Sequence, residues 1–250
     1  MKKKAKNHVL HFPLEFLIAC TIYKLDPAEV LQKFISHVTV YDSMAKGYSS
    51  GYSEASKTIA LYINSLKRAA RSSHAYSHCL ESTVLNFKNI HDLAHQQTGP
   101  SKAKRQKSLT FVNDLYDSME RVYTSSDTFH IDENTMLHFS KDFTVMCELH
   151  NCYPVEYLEN FMSKISLAEM EAKSGLKIPN ENFTMFFFMK IILGWGVNNK
   201  MPDLNDGELA FAKEMAELRV SIFTIRTLKQ RIAVFTQFFH KRYQEIIQQN

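Results

Sequence analysis

Residues 16–46 read FLIACTIYKLDPAEVLQKFISHVTVYDSMAK, and residues 143–173 read FTVMCELHNCYPVEYLENFMSKISLAEMEAK; the two stretches align without a gap, 127 positions apart. Nine pairs are identical: Phe16/Phe143, Cys20/Cys147, Pro27/Pro154, Glu29/Glu156, Leu31/Leu158, Phe34/Phe161, Ser36/Ser163, Ala45/Ala172 and Lys46/Lys173. Chance supplies roughly two in such a window. Ile18/Val145, Ile22/Leu149, Ile35/Met162, Val38/Ile165 and Val40/Leu167 keep apolar character at further pairs. The shared positions follow the stripe of a packed helix. The match weakens beyond this block, with Glu54 opposite Glu181 and residues 110–123 resembling 233–246 at a slightly shorter offset. These observations predict two tandem, related helical units, 1–127 and 128–250, of about five helices each.

Composition agrees with an all-α fold. Seven glycines and six prolines in 250 residues are too few for the tight turns of a sandwich or barrel. Pro27 and Pro154 suit the first position of a helix, where the missing N–H has no partner to lose. Asp26 is a good N-cap before Pro27, whereas Tyr153 is a poor one before Pro154. Later helices of the first unit are predicted near 54–71, 73–97 and 108–124, parted by the turn from Gly47 to Gly51 and by Thr98, Gly99 and Pro100. In the second unit a helix near 182–193 stops at Gly194 and Gly196. Phe211, Met215, Leu218, Ile222 and Ile225 then step by four and three, and a phase slip before Leu228 predicts a break near Arg226.

Residues 183–195 are almost wholly apolar, and Phe186, Phe187 and Phe188 sit at their centre. A helix apolar all round requires covering all round, so this one is predicted to be enclosed by the first unit or by a second copy of the chain, which allows for a homo-oligomer. At about 13 residues, with Lys190 inside, it is too short for a bilayer, which needs roughly 20. The start, MKKKAKNH, is followed by a stretch broken by His11, Pro13 and Glu15, and reads as a basic tail. Cys20, Cys79, Cys147 and Cys152 lack CxxC spacing and read as core residues of a cytoplasmic protein.

Motifs for chemistry are sparse. His74, His78 and Cys79, with His91 and His95, form two pairs at the spacing that shares a helix face. On a single helix over 73–97, however, His74 and His78 lie opposite the stripe Tyr76, Leu80, Val84, Phe87, Ile90 and Ala94, and the two pairs stand about 20 Å apart. No metal is expected. GxSxG, GxxxxGK and GxGxxG are all missing from the sequence. Asp114/Asp117 and Glu169/Glu171 read as solvated pairs, so no catalytic residue and no cofactor are expected.

Charge is uneven: residues 1–127 carry 17 basic and 11 acidic side chains, and 128–250 carry 13 and 15. Lys102, Lys104, Arg105 and Lys107 read as a basic loop suited to phosphates, as does the tail with Lys2, Lys3, Lys4 and Lys6. The helix pair around Pro27 also resembles a helix-turn-helix with Ala28, Glu29, Gln32, Lys33 and His37 as its outer face. The matching face, Val155, Glu156, Glu159, Asn160 and Lys164, is largely acidic and would repel phosphate, which favours a plain helical hairpin. The expectation is a non-enzymatic, cytoplasmic helical protein, regulatory in character, that works through contacts with a protein partner. A nucleic-acid-binding regulator using the basic first unit is the alternative.

Overall fold

A computed structural model describes residues 9–65, 80–124, 126–194 and 206–249. Twelve helices and one small hairpin occur among the described residues. In chain order they are α1 (Leu14–Ile22), α2 (Pro27–His37), α3 (Val40–Met44), α4 (Tyr52–Ser65), α5 (Leu80–His95), α6 (Ser101–Ser118), β1 (Thr128–His130), β2 (Met136–His138), α7 (Lys141–Leu149), α8 (Pro154–Ser163), α9 (Leu167–Gly175), α10 (Phe183–Ile192), α11 (Asp206–Ser221) and α12 (Leu228–Gln249). None is long and apolar enough to cross a membrane. His74, His78, Cys79 and Trp195 lie outside the described residues.

Local chemistry explains the recurrent boundaries. α1 and α7 start 127 positions apart, as do α2 and α8, α3 and α9, and α6 and α12. After α1 the chain turns through Lys24 at φ 53°, and after α7 through Asn151 at φ 54°. In each turn an amide reaches back five residues, Leu25 to the Cys20 carbonyl at 2.8 Å and Cys152 to the Cys147 carbonyl at 3.0 Å. Such a left-handed residue closes a helix while satisfying its last carbonyls. Thr39 and Ser166 then cap α3 and α9, their hydroxyls accepting from the amides of Asp42 and Glu169.

The chain divides into two compact units. One comprises Met1–Phe12 and Pro27–Met162, and the other Pro13–Asp26 and Ser163–Asn250. In the first, α7 packs on α6 and α3, and α2 packs on α4 and β2. Phe34 of α2 and Phe161 of α8 stack with ring centroids 4.1 Å apart and planes at 19°. Val30, Leu31, Ile35, Val40, Phe143 and Leu158 complete this core. The hairpin is antiparallel, Phe129 facing Leu137, and Leu137 is buried. In the second unit α12 packs along α9 and α1, with Phe235 and Phe239 buried. These units therefore differ from the sequence halves 1–127 and 128–250, because α1 packs with α12 and α7 packs with α6.

Three local expectations are corrected. The basic stretch near 102–107 is helix, not loop: α6 begins directly after Pro100, whose extended backbone follows the left-handed Gly99 at φ 88°. α5 buries Ile90 and Ala94 as expected, but in its first half Thr83 and Asn86 turn inward while Leu80 and Val84 stay more than half exposed. α10 is covered on one side only. Phe187 and Phe188 are wholly buried, but Phe186 is 40% and Leu193 60% exposed, with Lys190 half-exposed between them. Phe186 rests edge-on against Phe183 at 6.3 Å, so one aromatic of the helix shields another. The break near Arg226 does occur, between α11 and α12.

Candidate functional site

A buried polar cluster in the first compact unit grows from the short helix α3. Thr39 donates its hydroxyl to Asp42 Oδ2 at 2.6 Å and accepts the Asp42 amide at 2.9 Å. Arg105, one turn into α6, donates Nε to Asp42 Oδ2 at 2.6 Å and Nη2 to Oδ1 at 3.1 Å. Its Nη2 also donates to Ser49 Oγ at 2.5 Å, and the guanidinium lies 3.5 Å from the centre of the Tyr52 ring. The Asp42 side chain has no solvent exposure.

A second carboxylate completes the cluster. Asp142, in the first turn of α7, accepts the Val40 amide at 2.8 Å. Burial pushes its carboxyl up to about 6, with the Asp42 charge adding to the rise and the Val40 N–H and Arg105 opposing it. His37 packs at a 40° tilt against the Tyr52 ring at 4.6 Å and its Nδ1 lies 2.7 Å from the Lys33 carbonyl, so that nitrogen carries the proton. Burial holds the imidazole below its usual range. Glu54, three residues past Gly51, reaches back to the Gly51 amide at 2.7 Å and caps α4. Every group of the cluster is thus engaged in holding α3, α4, α6 and α7 in place.

Two further buried charges serve loops. Glu148 of α7 accepts the amides of Val122, Tyr123 and Thr124 at 3.1, 2.9 and 3.0 Å, and the Thr124 hydroxyl at 2.8 Å. In the second compact unit Arg231 donates to the carbonyls of Ile225 at 2.7 Å and of Ile222 and Phe223 at 3.3 Å, closing the end of α11. Lys104, 127 positions earlier, donates in the same way to the Gln96 carbonyl after α5. Gly175 makes room for Arg231: a Cβ there would stand 2.1 Å from Nη1.

The residues singled out by sequence are scattered in role. Arg105 is consumed by Asp42, and Lys104 by Gln96, leaving Lys102 and Lys107 exposed on α6. Phe187 and Phe188 are core, and only Phe186 reaches the surface. The face of α2 proposed for base reading is occupied at its middle, because the Gln32 amide clamps β2, donating to the His138 carbonyl at 2.9 Å and accepting its amide at 2.8 Å, while Glu29 beside it stays exposed. His91 and His95 stack at 4.0 Å on exposed helix surface, and no group of three metal-ligating side chains forms among the described residues. Cys20, Cys147 and Cys152 are buried. Burial lifts the Cys20 thiol to about 12 and the Cys147 thiol well above its usual range, which removes the thiolate that nucleophilic chemistry needs.

An open groove of about 440 Å³ runs between α5 and α6, lined by Asn89, Asp92, Leu93, Gln96, Lys107, Thr110 and Phe111. It holds none of the buried charges. No family model matches the chain, and neither a characterised protein nor a solved structure is found to be similar to it.

Proposed function

We propose that the chain is a tandem pair of related helical units that catalyses no reaction and acts in the cytoplasm by presenting helix surfaces to a protein partner. The repeat reading is supported by helix starts, left-handed turns, hydroxyl caps and the Lys104/Arg231 carbonyl clamps, all recurring at one offset. The observation that carries the functional reading is the apolar surface of α5, where Leu80, Val84 and Leu85 are 54%, 57% and 58% exposed. Neighbouring exposed apolar side chains of this kind mark contact sites more often than chance decoration. Among the described residues the buried charges Asp42, Glu54, Asp142, Glu148 and Arg231, by contrast, are engaged in structure. Affinity capture from the native host tests the reading: a specific partner retained by the parent and lost with Val84→Asp plus Leu85→Asp, in a variant that melts like the parent, is the expected outcome.

The second reading is nucleic-acid binding through α6, favoured by Lys102 and Lys107 on its exposed surface. Titration against random duplex DNA at rising salt separates the two, since phosphate contacts make affinity fall steeply with salt. Binding that is absent at low salt removes this alternative.

A further inference from the structure

We infer that residues 1–127 and 128–250 are binding partners of one another, locked by the exchange of their first helices, and that the peptide connection between them is dispensable to the fold. The inference rests on which helices pack together and stands whether or not the two halves descend from one unit.

α1 belongs to the first half yet sits in the compact unit built from α9, α10, α11 and α12. There Glu15 Oε1 meets His240 Nε2 at 2.9 Å, and Lys24 Nζ meets Glu208 Oε1 at 2.9 Å. Conversely α7 belongs to the second half yet sits in the unit built from α2 to α6. Its Asp142 takes the Val40 amide, its Glu148 takes the amides of 122–124, and Lys141 pairs with Asp117 at 3.8 Å. The second half also places α8 in that unit, so it gives up two helices where the first half gives up one, while within the two units α7 packs on α6 as α1 packs on α12. Both exchanged helices leave by the same turn, left-handed at Lys24 and at Asn151.

Phe34 of the first half and Phe161 of the second, 127 positions apart, also stack inside the first compact unit in near-parallel geometry. The segment that carries the chain from α6 to α7, by contrast, runs through the tip of the β1–β2 hairpin, just past the boundary of the halves, where exposed Asp132 accepts the amides of Asn134 and Thr135 at 2.8 Å. Little is lost by cutting it.

The test uses the whole chain with a protease site inserted between Glu133 and Asn134, cleaved after folding. The two pieces are expected to co-elute at the volume of the uncut protein, even at nanomolar concentration, with unchanged helical circular dichroism. Exchange itself is read by a short bis-maleimide in the variant carrying Glu15→Cys and His240→Cys, with Lys24→Cys and Glu208→Cys as an independent pair. After cleavage each double variant is expected to run as one band under denaturing conditions, while the parent and the variants with one added cysteine run as two. Fragments that separate on native gel filtration overturn the inference. So does co-elution without cross-linking in both double variants, which would place α1 elsewhere.

Discussion

Arg105 grips both oxygens of Asp42, Nε at 2.6 Å and Nη2 at 3.1 Å, across 63 residues of sequence. A carboxylate with no solvent contact depends on that fork. Arg105→Ala strands the charge and is expected to cost about 3–5 kcal/mol in a urea titration. Arg105→Lys supplies charge without the fork or the stacking on Tyr52, so it should recover only part of the loss. A lysine variant as stable as the parent would show that geometry matters less than charge here.

Asp142 provides a pH test. Its carboxyl in the folded chain lies near 6, above the ordinary value of 3.8, because burial disfavours the charge. A group with a raised folded value stabilises the fold below its unfolded pKa, and that contribution is lost as pH rises through the folded one. Asp142→Asn keeps an oxygen for the Val40 amide and removes the titration. The variant should therefore gain on the parent between pH 4 and pH 7.5, by on the order of 3 kcal/mol. Parallel urea titrations at the two pH values measure it, and a difference that does not change with pH would refute the assignment.

Gly175 ends α9, where alanine would ordinarily favour the helix by roughly 1 kcal/mol. Here the sign should reverse. The added Cβ would stand 2.1 Å from Arg231 Nη1 and push the guanidinium off the carbonyls of Ile222, Phe223 and Ile225. Unpaired buried carbonyls cost about 1–3 kcal/mol each. Gly175→Ala is expected to lower the melting temperature in the parent and to do so much less in an Arg231→Met background.

Gln32→Ala removes both hydrogen bonds between α2 and β2. A loss of about 1–2 kcal/mol is expected from two such bonds. Hydrogen exchange should locate it: the His138 amide loses protection while amides of α12 keep theirs.

How legible the chain was varies with the range of the interactions. Helix starts at Pro27 and Pro154, the break before Leu228 and the burial of Cys20 and Cys147 follow from local stereochemistry and periodicity. α6 was misread at its start because a lysine-rich run looks like a solvated loop, and only the Gly99–Pro100 turn marks the helix. The first half of α5 was misread because Leu80 and Val84 extend the apolar stripe of Ile90 and Ala94 yet stay more than half exposed, while Thr83 and Asn86 take the inward positions. Asp42 with Arg105, and Glu148 with the 122–124 turn, left no trace in sequence. Both join residues far apart along the chain, whose pairing is decided by how helices dock. The same holds for Arg231, a charge in mid-helix that looks solvent-facing until its carbonyl partners are placed.

The contact between Glu15 and His240 spans 225 residues, which gives it a meaning in time as well as in space. α1 is the earliest described helix to leave the ribosome, and α12, on which it packs, is the latest. At about 5–20 residues per second, α1 waits on the order of 10–45 s for its partner to be made. Throughout that interval Phe16, Ile18 and Cys20, all buried in the finished protein, have no α12 to lie against. A helix made well before its partner is thus among the last to dock, and nascent chains should be held by cellular chaperones through the segment around α1 until synthesis reaches α12.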